Sequence, residues 1–171
     1  MNKGFTLIEL LTLLVIMGIL SGVLFLGRTK SEEALALKRA AYQLAQDLRE
    51  TEEKAMAAQE IDCNGVLTHN FGVNFNLNRS VVSYLLFADC NDDQIYDQES
   101  DKLLKEVELE GKVEIQSVSP SPNVLNIVFL PPDPTIFINE ENWNREGVIT
   151  LSLNSQTRQV KINSAGRIEI E

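Results

Sequence analysis

The sequence is short of the residues that most enzymes and metal sites use. Its 171 residues include one histidine and two cysteines, so a Ser-His-Asp or Cys-His catalytic arrangement has almost nothing to draw on. The cysteines, Cys63 and Cys90, stand alone rather than in CxxC pairs, which argues against a zinc site. We therefore expect a protein that is not an enzyme.

Basic residues are scarce as well. Fifteen Lys and Arg stand against 25 Asp and Glu, giving a formal net charge of −10. Proteins that bind nucleic acids need an excess of cations for the phosphates. The composition therefore disfavours a nucleic-acid partner.

Charge is nearly absent from one stretch near the N-terminus. Between residues 5 and 27 the only charged side chain is Glu9. As a helix this segment would be roughly 35 Å long, enough to cross a bilayer. No small-residue cleavage site follows it, so we expect an anchor that is retained rather than a signal peptide that is removed. A carboxylate at the centre of such a helix costs about 2.5–3.5 kcal/mol, so Glu9 needs a partner or a function.

The sequence Gly4-Phe5-Thr6-Leu7-Ile8-Glu9 resembles the prepilin peptidase recognition sequence of the type IV pilin and type II secretion pseudopilin superfamily. The resemblance implies cleavage between Gly4 and Phe5 and N-methylation of Phe5. It also implies that Glu9 pairs with the amino terminus of a neighbouring subunit during filament assembly. An ammonium and a carboxylate that are each costly in hydrocarbon become less costly together.

Downstream of the apolar segment the pattern stays helical and then changes to strands. Small and apolar residues form one helical stripe: Leu37, Ala41, Leu44, Leu48 and Ala55. We expect this stripe to pack on the protein's own sheet, with a parallel coiled coil as the alternative. Beyond Gln59 the period becomes two. Strands are predicted in the segments 70–77, 80–88, 112–118, 124–130, 147–154, 158–163 and 166–171. The alternation from Glu106 to Glu110 indicates an edge strand, and the prolines of segment 131–147 indicate a loop.

This order of elements predicts an α+β fold. A helix followed by strands with short connections favours one long N-terminal α-helix, its first half in the membrane, packed on an antiparallel β-sheet, the pilin fold. The expected divisions are a leader peptide (1–4), a transmembrane and filament-core helix (5–27), its amphipathic continuation (28–59) and a globular β domain (60–171).

The globular half resembles the H-type minor pseudopilin branch, which includes the FimT-like minor pilins. The resemblance rests on FGVNF, on SYLLFADCNDDQIYDQESDKLLKEVEL, on IVFLPP and on the closing VITLSL, RQVKIN and GRIEIE. It implies a structural subunit of a type IV pilus or a type II secretion pseudopilus. Its partners would be other pilin subunits, the prepilin peptidase and, before assembly, the inner membrane. The subunit would cross that membrane once, with its globular domain outside the cytoplasm, and then join a periplasmic pseudopilus or a cell-surface pilus.

An alternative is a minor pilin at a filament tip that binds a ligand or DNA. Some FimT-like pilins capture DNA with a basic C-terminal face, and this chain has Arg145, Arg158, Lys161 and Arg167 near its C-terminus. Acidic residues are interspersed among them, which disfavours DNA capture.

A domain outside the cytoplasm lies where thiols are oxidised. Cys63 and Cys90 then most simply form one disulfide; two buried free thiols are the alternative.

The segment from Asp89 to Asp101 is rich in oxygen-bearing side chains at calcium-ligand spacing. The candidate ligands are Asp89, Asn91, Asp93, the Ile95 carbonyl and Asp97, with Asp101 or Glu99 closing the site. Gln94 and Ser100 replace the glycine and glutamate of an EF-hand, so that motif is excluded. The alternative is a hairpin turn held by its own side-chain to backbone hydrogen bonds. No other cofactor is expected.

Two other residues attract functional readings. We expect Trp143 to anchor its polar loop onto the sheet, with contact to a neighbouring subunit as the alternative. His69 is expected at the surface or in a turn rather than as a ligand or base.

Overall fold

The computed structural model describes residues 4–132 and 135–171, and within the helix it leaves the side chains of residues 23–30 undescribed. Three parts of the predictions fall outside the description: residues 1–3 of the leader, the side chains at 23–27 of the apolar segment, and residues 133–134 of the predicted loop. The chain forms two compact units, Met1–Leu35 and Ala36–Glu171.

One helix, α1 (Leu7–Met56), provides all the helical structure of the described residues. It contains no proline and is rich in residues of high helix propensity. It ends at Met56, where Ala58 takes a positive φ of 47° and donates its N–H to the Ala55 carbonyl at 2.8 Å. A left-handed residue of this kind commonly terminates a helix.

Eleven strands follow the helix among the described residues. They are β1 (Ile61–Cys63), β2 (Val66–Thr68), β3 (Phe71–Asn76), β4 (Ser83–Ala88), β5 (Lys102–Glu108), β6 (Glu114–Ser119), β7 (Val124–Leu130), β8 (Thr135–Ile138), β9 (Glu146–Leu153), β10 (Gln156–Asn163) and β11 (Ile168–Ile170). Every pairing is antiparallel. The α+β fold predicted from the sequence is confirmed.

The arrangement of the strands differs from the single sheet that the sequence predicted. The structure has a five-stranded sheet of order β5-β4-β3-β7-β8, a four-stranded sheet of order β11-β10-β9-β6, and the hairpin β1-β2. Alternation assigns each side chain to a face, but it does not specify which strands pair. After the turn at Gly111, whose φ is +69°, the chain leaves the first sheet, and β6 pairs with β9 in the second.

Two strand predictions need correction. Segment 131–147 was expected to be a loop, but Thr135–Ile138 forms β8, which lies at a sheet edge after Pro131 and Pro132. An edge position tolerates nearby prolines because the missing N–H is not needed there. The hairpin β1-β2 was not predicted because each strand has three residues. Its turn, Asn64-Gly65, has positive φ at both positions, and Asn-Gly is a recognised hairpin signal.

A single core joins the helix to both larger sheets within the unit Ala36–Glu171. The stripe predicted on the helix is confirmed, because all five of its residues are at most 1% exposed and lie in the core cluster. Core-facing residues of β3, β7 and β9 complete it, among them Phe75, Ile127 and Leu151. The Tyr84 hydroxyl of β4 donates to Asp47 of the helix at 2.5 Å, which joins the two layers by a polar contact.

The first unit is the N-terminal part of α1, considered by itself. Its described apolar side chains are 50% or more exposed, from Phe5 to Leu20. Among the described residues, none of the helical segments combines the length and hydropathy of a membrane span.

Candidate functional site

The N-terminal segment presents the predicted cleavage position and Glu9 together. Gly4 and Phe5 precede the helix and are exposed, so the peptide bond between them is accessible. Glu9 lies in the first turn of α1. It accepts hydrogen bonds from the Thr6 N–H at 3.1 Å and the Thr6 hydroxyl at 3.0 Å, while its own N–H donates to the Thr6 hydroxyl oxygen at 3.3 Å.

This reciprocal pair is a capping box, a use of Glu9 that sequence reasoning missed. The signal was present, because Thr-x-x-Glu before an apolar run is the pattern of such a box. Both contacts from Thr6 reach the same oxygen, Oε2. The second oxygen, Oε1, therefore remains available for a further donor, such as the amino group that the resemblance assigns to it.

The helix surface around Glu9 is unusually apolar for an exposed surface. Phe5, Leu7 and Ile8 are 78%, 84% and 66% exposed, and the pattern continues along the segment. The remaining members are Leu10, Leu11, Leu13, Leu14, Val15, Ile16, Met17, Ile19 and Leu20. A continuous apolar surface of this size marks a contact with lipid or with other protein.

The acidic segment Asp89–Asp101 forms a loop whose carboxylates hold its own backbone. Asp89 accepts the N–H groups of Asp92 at 2.8 Å and Gln94 at 3.1 Å. Asp101 accepts those of Cys90 at 2.9 Å and Asp97 at 2.8 Å. These contacts correspond to the turn that was the alternative to a calcium site.

Three of the predicted calcium ligands nevertheless lie together. Asp89, Asp93 and Asp101 each offer a carboxylate oxygen within 4.8 Å of the others, and they form the one such group of acidic, histidine or cysteine residues found in the described chain. Asp97 lies outside this group. Its carboxylate accepts the Glu99 N–H at 3.0 Å and the Ser100 hydroxyl at 2.9 Å.

Asn91 and Ile95 contact Asp93 through nitrogen donors rather than through the oxygens predicted as ligands. The Asn91 amide donates to Asp93 at 2.7 Å and the Ile95 N–H donates to it at 3.0 Å. Calcium takes 6–8 oxygens. The three carboxylates alone therefore supply part of a calcium site rather than a whole one.

Burial raises the pKa of two carboxyl groups in this cluster, those of Asp89 and Asp101. Asp89 has no solvent exposure, and its burial raises the pKa of that carboxyl to about 6. The N–H donors of Gln94 and Asp92 oppose this rise in pKa, and the charges of Asp101 and Asp93 add to it. Burial also raises the pKa of Asp101. Like charges held close in a buried site disfavour ionisation in this way.

Cys63 and Cys90 form a disulfide, with their Cα atoms 5.8 Å apart. This is the pairing expected from the sequence. It joins the hairpin β1-β2 to the start of the acidic loop and closes a loop with a sequence separation of 27. In the chain-entropy account a loop of this length contributes about 3.5 kcal/mol to stability.

The acidic loop also covers the face of the five-stranded sheet that is turned away from the core. The ring of Tyr96 packs on the ring of Phe87, with centroids 5.1 Å apart. The backbone N–H of Tyr96 donates to Asn126 Oδ1 at 3.2 Å. The same oxygen accepts the side-chain amide of Asn74 at 2.7 Å. Gly72 leaves space for the ring of Phe87, because a Cβ at position 72 would lie 2.5 Å from carbons of that ring.

Three of the four C-terminal basic residues form ion pairs with acidic residues. Lys161 pairs with Glu171 at 2.6 Å, Arg167 pairs with Glu169, and Arg145 pairs with Glu141. These pairs reduce the positive potential available to phosphates. The disfavoured DNA-binding alternative gains no support from this surface.

The predictions for His69 and Trp143 have different outcomes. His69 lies between β2 and β3 and its Nδ1 is 3.1 Å from the Ala58 carbonyl oxygen, as expected for a residue in a turn. Trp143 was expected to anchor its loop onto the sheet, which is wrong, because it is 86% exposed. The residues next to Trp143 are polar, and residues other than Trp143 make the contacts of this loop.

Comparison with known proteins bears on the N-terminal segment. Residues 1–25 match the family described as the prokaryotic N-terminal methylation motif. No curated protein and no solved structure matches the chain. Through the motif, with its exposed Gly4-Phe5 bond and its Glu9, the chain is similar to type IV pilin-like prepilins, which are processed at the N-terminus.

Proposed function

We propose that this chain is a structural subunit of a type IV pilus or a type II secretion pseudopilus. In this account prepilin peptidase cleaves it between Gly4 and Phe5, Phe5 is N-methylated, and the subunit assembles through its N-terminal helix. The observation that carries the proposal is the methylation motif over residues 1–25. Assignment to the H-type minor pseudopilin branch is part of the proposal and rests on the resemblance of the globular half.

The exposed apolar surface of the N-terminal helix supports assembly through that helix. Burying such side chains contributes about 25 cal/mol per Å² of apolar area removed from water. A membrane covers this surface before assembly and neighbouring helices cover it afterwards. In this account the subunit resides in the inner membrane, with its globular unit outside the cytoplasm, until it joins the filament.

Glu9 places a charge in an otherwise apolar helix surface, and this charge orients the contact between subunits. Its Oε2 caps its own helix through Thr6, and its Oε1 receives the amino group of Phe5 from a neighbouring subunit. Breaking a buried ion pair by removing one partner costs about 3–5 kcal/mol. Loss of the Glu9 charge should therefore reduce assembly by about a hundredfold or more, while leaving the protein in the membrane.

Substitutions at Glu9 and Thr6 separate the cap from the charge. Glu9→Gln can still form a capping box but carries no charge, and Glu9→Ala has neither. We expect both variants to be processed normally and to fail in assembly, as measured by the amount of this chain in sheared filaments.

Thr6→Val is the matched control, because it weakens the cap and keeps the carboxylate. We expect it to assemble at close to the wild-type level. Normal incorporation of Glu9→Gln would mean that the cap alone accounts for Glu9, and assembly through an ion pair would be refuted.

A further inference from the structure

Asn64 is followed by Gly65 in the turn of the hairpin β1-β2, and this is the one Asn-Gly pair of the sequence. Cys63 pairs with Val66 in the hairpin, so Asn64 and Gly65 are its two turn residues. Both have positive φ, 56° and 95°, and both are exposed. An asparagine before glycine is the kind that loses its side-chain amide most readily, because glycine has no Cβ to hinder its own backbone nitrogen.

The loss of the amide, deamidation, uses two groups of the turn and water. The Gly65 nitrogen attacks the side-chain carbonyl carbon of Asn64, and its proton passes through water to the side-chain nitrogen, which leaves as ammonia. Water then opens the resulting succinimide ring at either carbonyl, which gives aspartate or isoaspartate. Water is thus the sole co-reactant.

The surroundings of Asn64 leave this reaction sterically possible. No described atom lies within 4 Å of the point that a Cβ of Gly65 would occupy, so water reaches the reacting nitrogen. The Asn64 side chain makes no hydrogen bond to any residue that the structure describes. Asn163 differs, because its Oδ1 accepts the N–H groups of Ala165 and Arg167. The Asn64 side chain is therefore free to rotate towards the Gly65 nitrogen.

Asp62 holds the nitrogen that would attack. Its Oδ1 accepts the Gly65 N–H at 2.6 Å. The reaction requires this nitrogen to lose its proton, and hydrogen bonds to a charged acceptor are among the stronger ones in proteins. A carboxylate beside the nitrogen also disfavours the negative charge that develops as the proton leaves. Both effects slow the attack on Asn64.

We propose that Asn64 is a deamidation site of the folded chain and that Asp62 slows the reaction by holding the Gly65 N–H. The wild-type turn is therefore long-lived rather than inert. The proposal concerns the globular unit alone. It goes beyond the proposed function and does not depend on it.

Deamidation adds a negative charge to a recess that is already acidic. The recess has a volume of about 150 Å³, and Asn64 lines it together with both cysteines of the disulfide. Its charged lining residues are Asp62, Glu99, Asp101 and Lys102. Isoaspartate also adds a carbon atom to the backbone of a two-residue turn, and turn length sets the register of a hairpin. The product therefore differs from the parent chain in charge and, as isoaspartate, in hairpin geometry.

The test measures deamidation of the full-length chain, purified in detergent and kept at mildly alkaline pH and constant temperature. Samples taken over time are reduced and digested, and mass spectrometry follows the gain of about one mass unit in the peptide that contains Asn64. Asp62→Ala is compared with the wild type and with the matched control Leu67→Ala, since Leu67 pairs with Asp62 across the hairpin. Circular dichroism checks that each variant is folded.

We expect slow conversion of Asn64 in the wild type and conversion at least about tenfold faster in Asp62→Ala, the factor that corresponds to loss of one hydrogen bond to a charged group. Leu67→Ala should react at the wild-type rate. Equal rates in the wild type and Asp62→Ala, an equal acceleration in Leu67→Ala, or no mass gain at Asn64 in Asp62→Ala would overturn the proposal.

Unfolding gives a second measure of the same restraint. In the reduced chain in denaturant the contact between Asp62 and Gly65 is lost, so Asn64 should react at least about tenfold faster than in the folded wild type. The rates of the wild type and Asp62→Ala should then converge. A folded wild type that reacts as fast as the unfolded chain would refute the restraint by Asp62.

Discussion

Glu9 caps its own helix, and in the proposed filament the same residue would also pair with a neighbouring subunit. Thr6 and Glu9 satisfy donors at the start of α1 that would otherwise lack partners. Because Thr6 engages one carboxylate oxygen only, the cap fixes the side chain without using all of its capacity. A charge fixed in place before the partner arrives loses less entropy on pairing.

Gly72 is required for packing and not for a turn. The ring of Phe87 lies where a Cβ at position 72 would be, 2.5 Å from the nearest carbons. We predict that Gly72→Ala destabilises the folded chain by about 1–3 kcal/mol, because overpacking a buried site forces neighbours to move. Denaturant unfolding measures the change.

The control for Gly72→Ala is the same substitution with a smaller neighbour. In a Phe87→Leu background the added methyl group has space, so its cost should fall clearly below its cost in the wild type. An equal cost in both backgrounds would show that contact with Phe87 is not the cause.

At the scale of elements, the acidic loop combines a cover, a disulfide and a cluster of carboxylates. Tyr96 packs on Phe87, Cys90 is bonded to Cys63, and Asp89 and Asp101 hold the backbone between them. The loop is thus part of the folded unit and not a free surface segment. We therefore expect changes in the charge of this loop to alter the stability of the whole unit.

The raised pKa of Asp89 predicts how stability depends on pH. Its folded pKa is about 6 and its ordinary value is 3.8, so between these pH values the folded state binds more protons. The contribution is full below about pH 4 and is lost as pH rises through 6. Relative to Asp89→Asn, the wild type should lose about 2 kcal/mol of unfolding free energy from pH 4 to pH 7. Parallel pH profiles of the two proteins would contradict the assignment.

The same cluster predicts a response to calcium at neutral pH. Asp89, Asp93 and Asp101 bring three carboxyl groups within 4.8 Å of one another, and a divalent cation would relieve the repulsion between them. We expect millimolar calcium to raise the melting temperature of the full chain in detergent, with weak affinity of about 10⁻⁴–10⁻³ M. Magnesium should have less effect because it demands a stricter octahedral geometry.

The calcium effect should disappear in Asp89→Asn combined with Asp93→Asn. Identical melting temperatures in calcium, magnesium and chelator would show that the carboxylates act only as turn acceptors. A calcium shift that persists in the double variant would place the binding elsewhere.

The elements also show what the sequence could and could not predict. The helical stripe and the alternating strands follow from periodicity, because burial of one face dictates the pattern. The partner of β6, the extra edge strand β8 and the division into two sheets depend on pairings between distant segments, which periodicity does not encode. The convergence of Asp89, Asp93 and Asp101 was predicted by spacing, whereas Asp97 was misplaced because Ser100 and Glu99 draw it into a local turn.

At the scale of the whole molecule, the chain divides its tasks between two units. The N-terminal helical unit carries the methylation motif and an exposed apolar surface. The second unit contains a continuous core, a disulfide and the loop with Trp143. In the proposed filament the first unit provides the assembly contact and the second provides the surface that partners meet.

The proposed function depends on processing at the N-terminus, which the intact mass of the mature protein reveals. The protein is purified from membranes of its native host and its mass is compared with that of the full chain, with fragmentation to identify the first residue. We predict a chain that begins at Phe5, has lost residues 1–4 and carries one methyl group on its amino terminus. Retention of Met1, or cleavage after the apolar segment, would contradict the account.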